Sequence, residues 1–98
     1  MKTYFHPRSE AYFCLDWDNE TGWKTIAVSR DGGRHFVGLY WVYYPWPNHY
    51  TKITDTDGCI RRITESDGAY FVDDGPLTEL PYDGLPEGAM LTPFTFED

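Results

Sequence analysis

Three histidines, two cysteines, three serines and sixteen carboxylates are the side chains of this 98-residue chain that could carry catalysis or hold a metal. Their spacing argues against both. His6, His35 and His49 share no HxH or HxxxH interval, so no pair of them is set out as zinc ligands. Ser9, Ser29 and Ser66 lack the strand-turn-helix context of a nucleophile elbow. Cys14 and Cys59 form no CxxC pair. Both fall in segments that read as strands, where a cysteine is a small buried hydrophobe rather than a low-pKa nucleophile. Two reduced core thiols are expected; a disulfide between them would need an oxidising compartment. Asp55-Thr56-Asp57-Gly58 matches the middle of a calcium loop. In that frame the first and last ligand positions fall on Ile53 and Thr64, which cannot supply the required carboxylates. A hairpin turn is expected there, with weak calcium binding among Asp55, Asp57, Asp73 and Asp74 as the alternative. Gly32-Gly33 reads as a turn, since no helix follows to form a phosphate site. Asn19-Glu20-Thr21 also reads as a turn. No catalytic residue, metal or cofactor is expected, and the chain reads as a non-enzyme.

Aromatic residues are the stronger signal. Residues 38–50 read GLYWVYYPWPNHY. The part through Tyr44 alternates like a strand. The remainder cannot, because Pro45 and Pro47 remove ladder donors and stiffen the chain. Trp46, held between them, is either a lid folded over the core or an exposed anchor. Tryptophan and tyrosine dominate binding hot spots because they bring large area at low entropy cost.

Charge divides the chain in two. Residues 1–54 carry six basic and five acidic groups, a net of +1, and residues 55–98 carry two and eleven, a net of −9; together these give the −8 of the whole. After Arg62 there is no lysine or arginine. A one-signed field of this kind steers oppositely charged partners. It also excludes direct DNA or RNA binding, which needs a basic patch. The candidate contact residues are Asp55, Asp57, Asp67, Asp73, Asp74, Glu79, Asp83 and Glu87, with Trp46 and Tyr50 as aromatic anchors. Solubility alone is the competing explanation for the charge.

The elements that must position these residues are β-strands. Asp-Gly occurs at 31–32, 57–58, 67–68, 74–75 and 83–84, and both residue types tolerate the positive φ of tight hairpins. Strands are predicted at 10–17, 23–30, 34–44, 50–54, 59–65, 69–73 and 90–96. Segment 34–44 is apolar on both faces and is predicted to be the central strand. Segment 74–89 holds three prolines and three glycines and reads as an extended surface excursion, pinned by Leu77, Leu80, Tyr82 and Leu85. With 41% hydrophobic and 18% aromatic residues the chain can bury a core, so one all-β domain is expected, a small antiparallel barrel or sandwich of six to seven strands. Without a leader-like apolar run near Met1 or an apolar stretch of about 20 residues, a soluble cytoplasmic protein is expected, with no membrane partner.

In size, charge and lack of motifs, the chain resembles small phage-encoded inhibitors of bacterial defence, of the anti-CRISPR or DNA-mimic type. The resemblance spans the whole chain but contains no shared motif, so it carries over no site residues. It implies a binding inhibitor that docks an acidic face on a basic, nucleic-acid-binding effector in the host cytoplasm. The alternative is a carbohydrate- or small-ligand-binding β module, with Trp41, Trp46 and Tyr50 stacking and Asp55 or Asp57 hydrogen bonding.

Overall fold

The computed structural model describes residues 1–95, which form eleven strands and no helix. They are β1 (Lys2–His6), β2 (Ala11–Asp18), β3 (Gly22–Ser29), β4 (His35–Gly38), β5 (Tyr40–Tyr44), β6 (Tyr50–Thr54), β7 (Ile60–Ser66), β8 (Ala69–Val72), β9 (Gly75–Pro76), β10 (Thr78–Asp83) and β11 (Met90–Thr92). Two sheets result, one ordered β10-β1-β2-β3-β4-β11 and the other β5-β6-β7-β8-β9. The fold is therefore a sandwich and not a closed barrel. All pairings are antiparallel except β11 with β4.

The main core lies between the sheets. Phe13, Leu15, Ile26 and Val28 from the first meet Leu39, Ile53, Ile63 and Val72 around the second. Period-two alternation on β2 and β3 puts these side chains on one face. The opposite face of the first sheet is covered as well, since Cys14, Ala27 and Phe36 are buried beneath Leu85, Ala89 and Leu91.

Segment 34–44 is not one central strand. It breaks at Leu39, so that β4 belongs to the first sheet and β5 forms an edge of the second. The chain changes sheets here, which is why both halves are apolar on different faces. Gly38 sits at the corner under the backbone of Pro93 and Phe94, and a Cβ there would collide with both.

Segment 74–89 is also more structured than predicted. It supplies β9 to the second sheet and β10 to the first, beside β1. It then crosses the outer face of the first sheet before β11 reaches β4. Leu77 packs on the main core and Leu85 on the second cluster. The side chain of Tyr82 lies outside the described residues, as do Phe96, Glu97 and Asp98. The predicted strand 90–96 stops at Thr92, one residue before Pro93. Cys14 is buried, as expected; Cys59 is exposed just before β7, so it is not a core thiol, and neither is in a disulfide.

Candidate binding surface at the open end of the sandwich

A bulge builds one wall of the candidate site. β2 and β3 pair from Tyr12 with Ser29 to Asp16 with Thr25, and the register then shifts so that Trp17 faces Trp23. Alternation from Val28 and Ile26 would send Lys24 inward. The extra residue instead leaves Lys24 exposed and turns Trp23 into the inter-sheet space. Trp23 is buried there, and its Nε1 donates to Thr51 Oγ1 at 2.8 Å. Trp17 stays 46% exposed at the rim.

The second sheet builds the opposite wall. Asp67 and Gly68 both have positive φ, +51° and +81°, and close a two-residue hairpin. That turn fixes Ser66 opposite Ala69 and Glu65 opposite Tyr70. Ile63 and Val72 are also opposite one another, two positions further in, and both are core residues. Glu65 and Tyr70 therefore share the inward face. Burial, followed by the neighbouring Glu65 carboxylate, pushes the Tyr70 phenol up to about 12. Tyr43 joins them from β5. Together with Trp17 and Trp23 these residues line a cleft of ≈ 520 Å³ between the ends of the two sheets.

The β5–β6 loop projects from the same end. Trp46 is 82% exposed, which settles the choice between lid and anchor in favour of the exposed position. On the outer face of these strands Tyr44 stacks on Tyr50, with centroids 5.0 Å apart at 18°. Arg62 lies 4.5 Å above the Tyr50 ring. Trp41 points the other way and packs against the main core. Trp41, Trp46 and Tyr50 thus diverge, and the stacking set expected for a sugar does not form from them.

The other end of the sandwich is ionic and filled. Asp55, with a side chain fully removed from solvent, accepts from Arg30 at 2.5 Å and Arg61 at 2.9 Å. Burial alone would raise its pKa; Arg30, the Thr56 N–H and Arg61 outweigh that and hold it below the usual carboxylate range. Arg61 also reaches Asp57 at 2.8 Å and Asp73 at 3.4 Å. A guanidinium thus occupies the centre of the group considered for calcium, and Asp55–Gly58 closes as a turn through the Gly58 N–H bond to the Asp55 carbonyl. Among the described residues no cluster of three or more His, Cys, Asp or Glu is arranged to hold a metal.

The predicted acidic contacts separate into sets. Asp55 is sealed inside, which removes it from the residues able to meet a partner. Asp57 and Asp73 share Arg61, while Glu79 and Asp83 share Lys2 at 2.9 and 2.8 Å. Asp67 and Asp74 are exposed at the turns flanking β8, and Glu87 is exposed on the crossing segment. Tyr50 is half-buried beneath Arg62.

Sequence reasoning missed Trp17, Trp23, Tyr43, Glu65 and Tyr70 as a group. The pairing of Glu65 with Tyr70 was available from the Asp67-Gly68 hairpin, but the bulge that aligns the tryptophans leaves no sequence signature. The chain matches no protein-family model, no curated protein and no solved structure.

Proposed function

We propose that the protein is a non-enzymatic binding inhibitor that docks on a basic, nucleic-acid-binding partner in the cytoplasm, in the manner of anti-CRISPR or DNA-mimic proteins. The observation that carries this reading is Trp46. It is 82% exposed at a loop tip, with Trp17, Tyr43 and Tyr44 also exposed nearby on the same end of the fold. An exposed group of large aromatics marks a contact surface. A chain charge of −8 matches it to a basic partner. In this reading the aromatic tip supplies affinity, and the carboxylates speed encounter and take positions that phosphates would occupy.

The test compares tagged wild type, Trp46→Ala, and a variant with Asp73, Asp74, Glu79 and Asp83 changed to Asn or Gln, each passed through bacterial lysate. Wild type is expected to recover a basic partner at low salt and release it at high salt or on addition of duplex DNA. Trp46→Ala loses the partner, and the neutralised variant recovers it with a weaker salt response. Equal recovery and equal salt response from all three would overturn the reading.

A further inference from the structure

We infer that the cleft at the open end of the sandwich receives one cationic side chain, lysine or arginine, from the basic partner. This rests on the docking reading above and names the group that enters the molecule. The rings stand as walls: Trp17 meets Trp23 at 79° and Tyr43 at 77°, with centroids 4.9 and 6.3 Å apart. Such steep angles enclose a volume. A sugar ring stacks instead on a flat, open face, and the chain's stacked pair, Tyr44 with Tyr50, lies on the outer side of the sheet with Arg62 already over it.

The chemistry of the walls selects charge as well as shape. Aromatic faces carry partial negative charge and attract ammonium or guanidinium groups within about 6 Å. Arg62 over Tyr50 is the same interaction made within the chain. In the cleft, the inward-facing Glu65 adds a full negative charge beside Tyr70. His49 also lines the cleft, with its Nδ1 3.5 Å from the Tyr43 hydroxyl, but among the described lining residues there is no lysine or arginine to answer that charge. At the other end of the sandwich the inward carboxylate, Asp55, has two guanidinium partners of its own. The open end has the carboxylate and the aromatic walls, and the partner brings the cation.

The test is NMR of the full isotope-labelled chain, following the Trp17 and Trp23 indole N–H signals during titration. The probes are Nα-acetyl-lysine methylamide, Nα-acetyl-arginine methylamide, the uncharged Nα-acetyl-norleucine methylamide and methyl β-glucoside. At least one cation is expected to give saturable shifts at both indoles, with none from norleucine or glucoside. Glu65→Gln should weaken the response about tenfold, as should Trp17→Ala. Trp46→Ala should leave it unchanged, which separates the cleft from the loop tip. If Trp17→Ala perturbs the fold, the isosteric and exposed Glu65→Gln carries the test alone. Equal shifts from norleucine and the cations, saturation by the glucoside alone, or no saturable shift from any probe would overturn the proposal. None of those results would touch docking through Trp46, which the lysate comparison reads independently.

Discussion

The two ends of the inter-sheet space solve the same problem in opposite ways. Each has a carboxylate directed toward the interior, and Arg61 and Glu65 stand on one strand about 13 Å apart, four residues at 3.3 Å each. At the Arg61 end, the acid Asp55 is enclosed by two arginines and a backbone N–H. At the Glu65 end, aromatic rings stand around unfilled space. A buried charge must be paired, because taking it from water without a partner costs several kcal/mol. An inward charge at an open rim is still in contact with water and can await a partner from outside. The difference teaches that one end is closed by ion pairs within the chain, while the other leaves its carboxylate and rings open to solvent, the end the proposed reading assigns to contact.

Substitutions can break that division. Arg61→Leu removes a guanidinium shared by three carboxylates and leaves Asp55 with Arg30 as its one cationic partner among the described residues. It should lower unfolding free energy by about 3 kcal/mol, the low end for breaking a buried pair, as measured by urea denaturation. Trp46→Ala should leave stability within about 0.5 kcal/mol. Its effect belongs in partner affinity, which should fall by about 2 kcal/mol, or roughly 30-fold, by calorimetry with the recovered partner. Trp23→Phe keeps an aromatic ring but removes buried indole volume as well as the bond to Thr51, and thermal melts should report a loss of about 2 kcal/mol. Glu65→Gln should change stability least, by under about 0.5 kcal/mol.

Titration sharpens the contrast. Asp55 has a depressed pKa in the folded state, so the unfolded chain binds its proton first as pH falls. Its contribution is fully present above the unfolded value near 3.8 and is lost as pH falls through the folded one. Tyr70 behaves in the opposite sense. Its folded pKa of about 12 lies above the ordinary 10, so stability is full below pH 10 and declines as pH rises toward 12. Melting temperatures should therefore drop at the acid extreme through Asp55 and at the alkaline extreme through Tyr70. Tyr70→Phe should remove Tyr70's share of the alkaline decline only.

The sequence carried the all-β class because Asp-Gly turns and β-branched runs act locally. Four of the five Asp-Gly glycines do adopt positive φ; at Asp74-Gly75 the positive φ falls instead on Asp73, and Gly75 is buried in β9 beneath His6. What local pattern could not carry was the assignment of strands to sheets. The break at Leu39 follows from the close crossing of Pro93 and Phe94 over Gly38, a contact between residues more than fifty positions apart. The candidate site was half legible for a similar reason. Trp46 could be singled out from its flanking prolines, whereas the cleft depends on a bulge at Lys24 and on two sheets meeting. Formal charge misled in one respect: counting carboxylates could not reveal that Asp55, Asp57 and Asp73 converge on a single arginine.

The most direct test of the account is hydrogen–deuterium exchange of the chain with and without its recovered basic partner. Protection confined to residues 43–50 and to the β7–β8 hairpin around 65–70, with the Arg61 end unchanged, is the predicted footprint. Protection centred on Arg61 and Asp57, or on the crossing segment around Leu85, with the aromatic end unchanged, would contradict it.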